Sequence, residues 1–327
     1  MQLFVTSHTD VLEHSAAVLG WQQTYDQLEC GRPRSTLTQL CGDGYQVFLE
    51  SIDKRVAQRG RSPAGRLCIG VSWQDPTFDS EDWALASGVC QVALLRNGEP
   101  FNLHMPAGAT LLSVNLDFAR FRELALTCLD DARLRQIDDA GSIEVPVPVV
   151  ARVAGRLRGV LQQAAGQNGL AASSCGDNDM VDLAMSGSLE LFSGGHTGRT
   201  ERCRSLAVST WLVRRSEELL FDRAAVTLTV TDLCNQLKVS PRALQNSFHA
   251  VTGSAPVEYL RGLRLNAVRR RLATTSPDAL GVGGAAAEMG FYHLSHFARH
   301  YRDLFGELPS NTRRARTLSV SQGIRQH

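Results

Sequence analysis

The sequence has no run of about 18 apolar residues, which is the length that a membrane-spanning helix needs. Its N-terminus lacks the basic stretch and the following apolar stretch of a signal peptide. These two absences predict a cytoplasmic chain without a membrane partner. None of the eight cysteines stands in a C-x-x-C pair. A zinc site or a redox dithiol is therefore not expected, and the cysteines are interpreted as small buried hydrophobic residues.

Signatures of catalysis are also missing. The sequence contains no G-x-S-x-G, no phosphate-binding loop and no Rossmann glycine run. Among residues 1–200 the only histidines are His8, His14, His104 and His196. A metal-binding cupin needs two or three histidines and a carboxylate, and only His104 lies among the predicted strands. We therefore predict no catalytic residue, cofactor or metal. A cupin-like metalloenzyme with an accessory DNA module is the alternative.

The net charge of +1 conceals two halves of opposite sign. Residues 201–327 contain 18 lysines and arginines against 10 aspartates and glutamates, which gives +8, so residues 1–200 carry −7. A basic module joined to an acidic one is expected when only one of them binds a polyanion. The charge pattern alone leaves open a basic domain with an ordinary solvated surface.

The first part of the chain is predicted to be α+β. Apolar, partly alternating runs between residues 30 and 120 are separated by turn residues and predict short strands. Their spacing predicts a cupin-like small β-barrel. The apolar residues of 150–161 recur at helical spacing and predict a helix, which forms either a dimer seam or a packing face against the barrel. We assign 1–192 to a regulatory or dimerisation domain and 193–206 to a linker.

Three residues near the N-terminus are candidates for an effector site: Trp21, Tyr25 and Asp26. Aromatic rings beside a carboxylate bind small amines through cation–π and ionic contacts. The near-helical spacing of these residues favours packing in a core over an effector pocket.

The C-terminal part, 207–317, is predicted to be all-helical and contains one repeated unit at 229–253 and 281–306, followed by a tail at 318–327. In the first unit, Thr229 and Asp232 form a capping-box pattern that begins a helix. Lys238 to Ser240 predict a turn, and Pro241 fits the first position of a second helix that ends at Gly253. Each unit is thus a predicted helix-turn-helix.

The second unit repeats this plan with a turn at Gly290 and Phe291 and a stop at Gly306. The segment between the units, Pro256–Thr274, predicts a long basic helix whose arginines neutralise phosphates. Gly281, Gly283 and Gly284 crowd the first helix of the second unit. Since glycine inside a helix costs about 1 kcal/mol relative to alanine, we expect this unit to be looser.

A helix-turn-helix unit presents its second helix to the major groove of DNA. The side chains that are not needed for packing then face the base edges, where arginine pairs with guanine and glutamine or asparagine with adenine. Two such helices would enter successive major grooves. The predicted DNA-contacting residues are Arg242, Gln245, Asn246, His249, Leu294, Ser295, Ala298, Arg299 and Arg302.

These motifs resemble the AraC/XylS family of bacterial transcription regulators. The resemblance is carried by Gly290-Phe291, Phe297, Tyr301, Phe305-Gly306 and Pro309. It implies about seven helices in this region, DNA contact by both units, and an N-terminal domain that senses a ligand or dimerises. By position, the base-contacting residues of the family fall on Arg242, Gln245 and Asn246, and on Leu294, Ser295, Ala298 and Arg299.

Within the family the chain is most similar to ethanolamine operon regulators. This similarity is strongest in Asp232–Leu237 and Leu265–Arg270 and extends to Thr9-Asp10-Val11 and Trp21-Gln22-Gln23. It implies a sequence-specific regulator, more often an activator, that is nucleoid-associated and dimeric. Its expected partners are double-stranded promoter DNA, RNA polymerase and a small effector. A protein that bends DNA without sequence preference is a further alternative.

Overall fold

The computed structural model describes residues 1–74, 88–166, 176–196, 201–222 and 228–312. The chain forms two compact units. The first consists of Met1–Tyr25, Arg34–Asp53 and Gln58–Arg199, and the second of Asp26–Pro33, Lys54–Ala57 and Thr200–His327. Among the described helices, none is long and apolar enough to cross a membrane. The predicted tail lies outside the described residues, as do positions 197–200 of the predicted linker.

Among its described residues, the first unit contains ten strands and five helices. The ends of β2 and β5 belong to segments that are assigned to the second unit. The strands are β1 (Gln2–His8), β2 (Gln22–Gln27), β3 (Ser35–Gly42), β4 (Tyr45–Ile52), β5 (Val56–Arg61), β6 (Arg66–Trp73), β7 (Val89–Arg96), β8 (Pro100–Met105), β9 (Ala109–Asp117) and β10 (Ser142–Pro146). The helices are α1 (Val11–Ala17), α2 (Phe118–Cys128), α3 (Asp131–Asp139), α4 (Val147–Gly166) and α5 (Asp177–Gly194). Ser193 and Gly194, which begin the predicted linker, therefore lie in a helix.

Seven strands form one sheet in the order β1-β3-β4-β9-β6-β7-β10, and β2, β5 and β8 form a second sheet. All of the described pairings in the large sheet are antiparallel. The sequence prediction of a closed barrel is wrong, because the large sheet ends at β1 on one side and at β10 on the other. Alternating hydrophobicity specifies the strands, but closure depends on pairings between distant segments that the local pattern does not encode.

Helix α4 covers one face of the large sheet. Its apolar stripe, Val150, Val153, Leu157 and Leu161, is at most 3% exposed. It belongs to the same core as Ile69, Val92 and Val114 of the sheet and Phe192 of α5. Burial of each such side chain contributes about 1.5–3 kcal/mol. The stripe therefore packs on the sheet of its own unit, the second of the two predicted alternatives.

The described cysteines divide by burial. Cys68 and Cys234 are buried, as predicted for small hydrophobic residues, but Cys30 and Cys128 are exposed. Burial raises the pKa of the Cys68 thiol to about 12, so this side chain is neutral at physiological pH. The prediction of burial was wrong for the two exposed cysteines, because their irregular spacing in sequence carries no information about burial.

The second unit is helical over 201–222 and 228–312, with α6 (Glu201–Phe221), α7 (Val230–Leu237), α8 (Pro241–Thr252), α9 (Pro256–Thr274), α10 (Val282–Glu288) and α11 (Leu294–Phe305). Its described residues form two apolar cores. The first lobe surrounds Leu233, Leu244 and Phe248, and the second surrounds Ala285, Phe297 and Tyr301. Helix α9 contributes to both: Tyr259, Leu260 and Leu263 lie in the first core, and Leu265, Val268 and Leu272 in the second.

Candidate nucleic-acid interface

Local signals define the first helix-turn-helix. The backbone N–H of Asp232 donates to Thr229 Oγ1 (3.2 Å) and that of Thr229 donates to Asp232 Oδ2 (2.9 Å), which confirms the capping box. Lys238 ends α7 in the left-handed conformation, with φ 55°. Ser240 Oγ accepts from the N–H of Ala243 (3.2 Å) and Pro241 opens α8. The predicted turn and both helices are therefore present.

Helix α8 has a buried face and an exposed face. Leu244 and Phe248 are fully buried in the first lobe. The four side chains that were predicted to contact bases, Arg242, Gln245, Asn246 and His249, are all exposed. This face can donate from the guanidinium and can both donate and accept through the two amides, which is the chemistry that base edges recognise.

Helix α11 has the same division. Phe297, Tyr301 and Phe305 stack along its inner side, with ring centroids 5.6 Å and 4.6 Å apart. Gly306 ends the helix at φ 70°. On the outer side, Leu294, Ser295, Arg299 and Arg302 are exposed and Ala298 is half-buried. The predicted contact residues of both helix-turn-helix units thus lie on the outer sides of α8 and α11.

The glycines of α10 occupy its first turn. Gly281 is the N-cap, a position where glycine is well tolerated, and only Gly283 and Gly284 lie within the helix. Because glycine inside a helix is less favourable than alanine, these two residues still predict a looser second helix-turn-helix.

We expect backbone amides in 281–291 to exchange with deuterium faster than those in 229–237, measured by exchange mass spectrometry. Equal protection of the two segments would contradict this.

Four of the five arginines of α9 have partners within the second compact unit. Arg269 pairs with Glu307 (3.0 Å) and lies 4.6 Å from the centre of the Phe305 ring. Arg264 donates to the carbonyl of Leu228 (2.9 Å). Arg270 pairs with Asp26, and Arg271 pairs with Glu288 (3.0 Å). These contacts connect α9 to the segments that pack around it, and the predicted phosphate contact of its arginines stays a prediction.

Three residues around α11 were missed from sequence. Tyr292 is 64% exposed in the turn before the helix. The exposed His296 accepts from Arg299 through Nδ1 (3.1 Å), and its spacing of three from Arg299 was the available signal. Burial, followed by the charges of Arg261 and Arg299, lowers the pKa of His300. His300 is therefore mostly neutral at physiological pH, while His296 and Tyr292 add hydrogen-bonding groups to the outer face.

The first unit has a cavity between its two sheets. The three-stranded side contributes Trp21, Tyr25 and Phe101, and the large sheet contributes Phe48 and Gly70. The lining encloses about 460 Å³ of empty space, including the part that is open to solvent. Of the three predicted effector residues, Trp21 and Tyr25 thus lie at the cavity. Asp26 belongs to the second unit, where it pairs with Arg270.

A buried polar cluster adjoins the cavity. Glu50 accepts from the Tyr25 hydroxyl (2.8 Å) and from Gln58 (2.6 Å), and lies 3.0 Å from His14 Nε2. Burial, followed by the charge of Glu50, raises the pKa of Tyr25 well above its ordinary value. The cluster therefore fixes the Tyr25 ring at the wall. Among the described residues, no group of three or more histidines, cysteines, aspartates or glutamates is placed to hold a metal ion.

Two exposed recognition helices on one helical scaffold define a DNA-binding domain. Residues 233–315 match the family model described as a helix-turn-helix domain. The C-terminal part of this chain therefore contains a helix-turn-helix domain over residues 233–315.

The relatives that share this domain are regulators by name. The chain is 33% identical over 104 residues to the XylDLEGF operon transcriptional activator 3 of Pseudomonas putida, covering 32% of this chain and 31% of that protein. It is 39% identical over 80 residues to the XylDLEGF operon transcriptional activator 1, covering 24% of each chain. The chain therefore spans less than a third of the length of either activator.

A crystal structure of a transcriptional regulator from Chromobacterium violaceum, with an AraC-type DNA-binding domain, is 28% identical. That match covers 35% of this chain and 94% of the other, with a TM-score of 0.27.

Proposed function

We propose that this protein is a sequence-specific transcription regulator that inserts α8 and α11 into successive major grooves of promoter DNA. The observation that carries the proposal is the exposure of eight of the nine predicted contact residues on these two helices, while the inward residues of both helices fill the cores. The names of the activators that share the domain support it. The relatives that share the domain are named as transcriptional activators and not as enzymes.

Specificity is tested with duplexes that the full-length protein selects from a random library. At fixed salt, the selected duplex should bind about 1,000-fold or more tightly than a scrambled one. Arg242→Ala should weaken binding by about 1–3 kcal/mol and relax selection at one base pair. Arg122→Ala removes the same charge from an exposed ion pair of the first unit and should leave binding unchanged. Equal affinity for both duplexes would indicate a nonspecific binder.

We also propose that the inter-sheet cavity binds a small effector. Its lining is almost wholly apolar and rich in aromatic rings. The indole Nε1 of Trp21 is buried and has no hydrogen-bond partner among the described residues. A ligand with an aromatic body and one hydrogen-bond acceptor satisfies both features. A small amine is a poorer match, because Asp26 belongs to the other unit.

Filling the cavity is expected to abolish this binding. A Cβ on Gly70 would meet only Leu111, at 3.6 Å, which is an ordinary van der Waals contact, so Gly70→Val adds a side chain at the cavity wall. We expect its affinity for acetophenone, an aromatic ring with one carbonyl acceptor used as the probe in calorimetry, to fall at least about tenfold. Gly141→Val, where the added Cβ meets nothing within 4 Å, is the matched control. Native affinity in Gly70→Val would exclude the cavity as the site.

The remaining details of the proposal rest on the sequence resemblance. We propose that the protein acts as an activator, as a homodimer and together with RNA polymerase. Its resemblance to ethanolamine operon regulators makes genes of ethanolamine use the first candidates for the regulated set. A reporter fused to these promoters, compared with and without the protein, tests this choice.

A further inference from the structure

The C-terminal end of α8 is held by a residue from far earlier in the chain. Arg55 Nη1 donates to the carbonyls of Thr252 (3.3 Å) and Gly253 (3.0 Å) and to Ser254 Oγ (2.8 Å). The last carbonyls of a helix lack partners within it and carry partial negative charge. The guanidinium therefore satisfies the end of the first recognition helix with both hydrogen bonds and charge.

The C-terminal end of α11 is held in a comparable way. Gln27 Nε2 donates to the carbonyl of Leu304 (2.7 Å) and to that of Gly31 (2.5 Å). The N–H of Gly31 donates to the carbonyls of Asp303 (3.2 Å) and Leu304 (3.0 Å). One short loop thus supplies two donors to the last turn of the second recognition helix.

The same segments are fastened to α9, which joins the lobes. Asn266 exchanges hydrogen bonds with the backbone of Gln27: its Oδ1 accepts from the N–H (2.9 Å) and its Nδ2 donates to the carbonyl (2.7 Å). Gly262 permits this approach, since a Cβ there would lie 3.3 Å from Leu28. Asp26, which is fully buried, pairs with Arg270. The N–H of Leu28 donates to the carbonyl of Arg55 (2.8 Å), which links the two segments.

We propose that residues 26–33 and 54–57 form a clamp that fixes the two recognition helices relative to each other and thereby sets the half-site spacing that the protein accepts. Arg55 and Gln27 are its positioning residues, since they hold the ends of α8 and α11 without belonging to the outward faces. This inference rests on the proposed DNA-binding function. Preorganised helices bind a correctly spaced site without an ordering cost, whereas loosened helices accept several spacings at lower affinity.

The test uses the full-length protein and the duplex that it selects from a random library. A second duplex carries one extra base pair between the half-sites. We expect the native protein to bind the extended duplex at least about tenfold more weakly. In Arg55→Ala the ratio of the affinities for the original and the extended duplex should fall to about threefold or less. Arg55→Lys keeps only the charge and should restore part of this discrimination between the two duplexes. Arg61→Ala is the matched control, because Arg61 is exposed in β5 and donates to the carbonyl of Gly98 (3.0 Å) in the first unit.

Each outcome decides the proposal. A lower ratio in Arg55→Ala with a native ratio in Arg61→Ala supports the clamp. Equal weakening on both duplexes, with the ratio unchanged, overturns it and leaves only a general charge effect. A native protein that tolerates the insertion also overturns it. If the native protein selects no duplex, the proposed function fails, and the clamp is judged by amide exchange in the last turn of α8: faster exchange in Arg55→Ala than in Arg61→Ala supports it, and equal exchange overturns it.

Discussion

Phe297→Ala is expected to lower the free energy of unfolding of the second lobe by about 3–5 kcal/mol, the usual range for removing a buried aromatic ring. Phe297 is 1% exposed and stacks between Phe291 and Tyr301, at 5.2 Å and 5.6 Å between ring centroids. The core around it is small, and a cavity there cannot be filled by the short glycine-rich α10. Amide exchange in α11 measures the change, since its slowest amides report the opening of the lobe.

The matched control is on the same helix. Leu294 lies three residues earlier and is 51% exposed, so Leu294→Ala should change the stability by less than about 0.5 kcal/mol while weakening DNA binding. The two variants distinguish the contribution of the inward face of α11 to stability from the contribution of its outward face to DNA binding. Similar stability losses in both variants would mean that α11 does not present the face described above.

Arg270→Ala is expected to destabilise the second unit by about 2–4 kcal/mol. The partner carboxylate of Asp26 is fully buried, and removing one member of a buried ion pair takes away a charge that compensates the other. The value is placed below the upper limit for such pairs because Arg270 is 25% exposed. Amide exchange of α9 provides the measurement. Adding Asp26→Asn should recover about half of the loss, since the remaining group is neutral.

The adjacent arginine is the control. Arg271 is 49% exposed and pairs with the exposed Glu288, so Arg271→Ala should cost less than about 1 kcal/mol. Equal losses of stability at the two positions would show that the buried pair with Asp26 contributes no more than the exposed pair with Glu288.

The helix-turn-helix units were predictable because their signals are local. The Thr229 capping box, the Ser240-Pro241 start of α8 and the glycine ends at Gly253 and Gly306 act within a few residues of the structure that they specify. Helical spacing then separates inward from outward side chains, so the outward positions of α8 and α11 could be named without coordinates.

Features that depend on distant contacts were not predictable. An open sheet and a closed barrel have the same strand pattern, so the predicted closure was wrong. Asp26 stands beside Tyr25 in sequence, but its carboxylate belongs to the second unit, where it meets Arg270. The arginines of α9 give a basic pattern in sequence, and only the fold reveals the internal partners of four of them. The clamp holds the ends of α8 and α11 through pairs more than 190 residues apart, such as Arg55 with Thr252, for which no local signal exists.

Genome-wide chromatin occupancy tests the central claim most directly. The native protein is compared with Arg242→Ala/Gln245→Ala, which alters two exposed residues of α8 and no core residue. Discrete peaks that share a sequence motif, and that disappear in the variant, are the predicted result. Diffuse occupancy that the variant leaves unchanged would contradict a sequence-specific regulator.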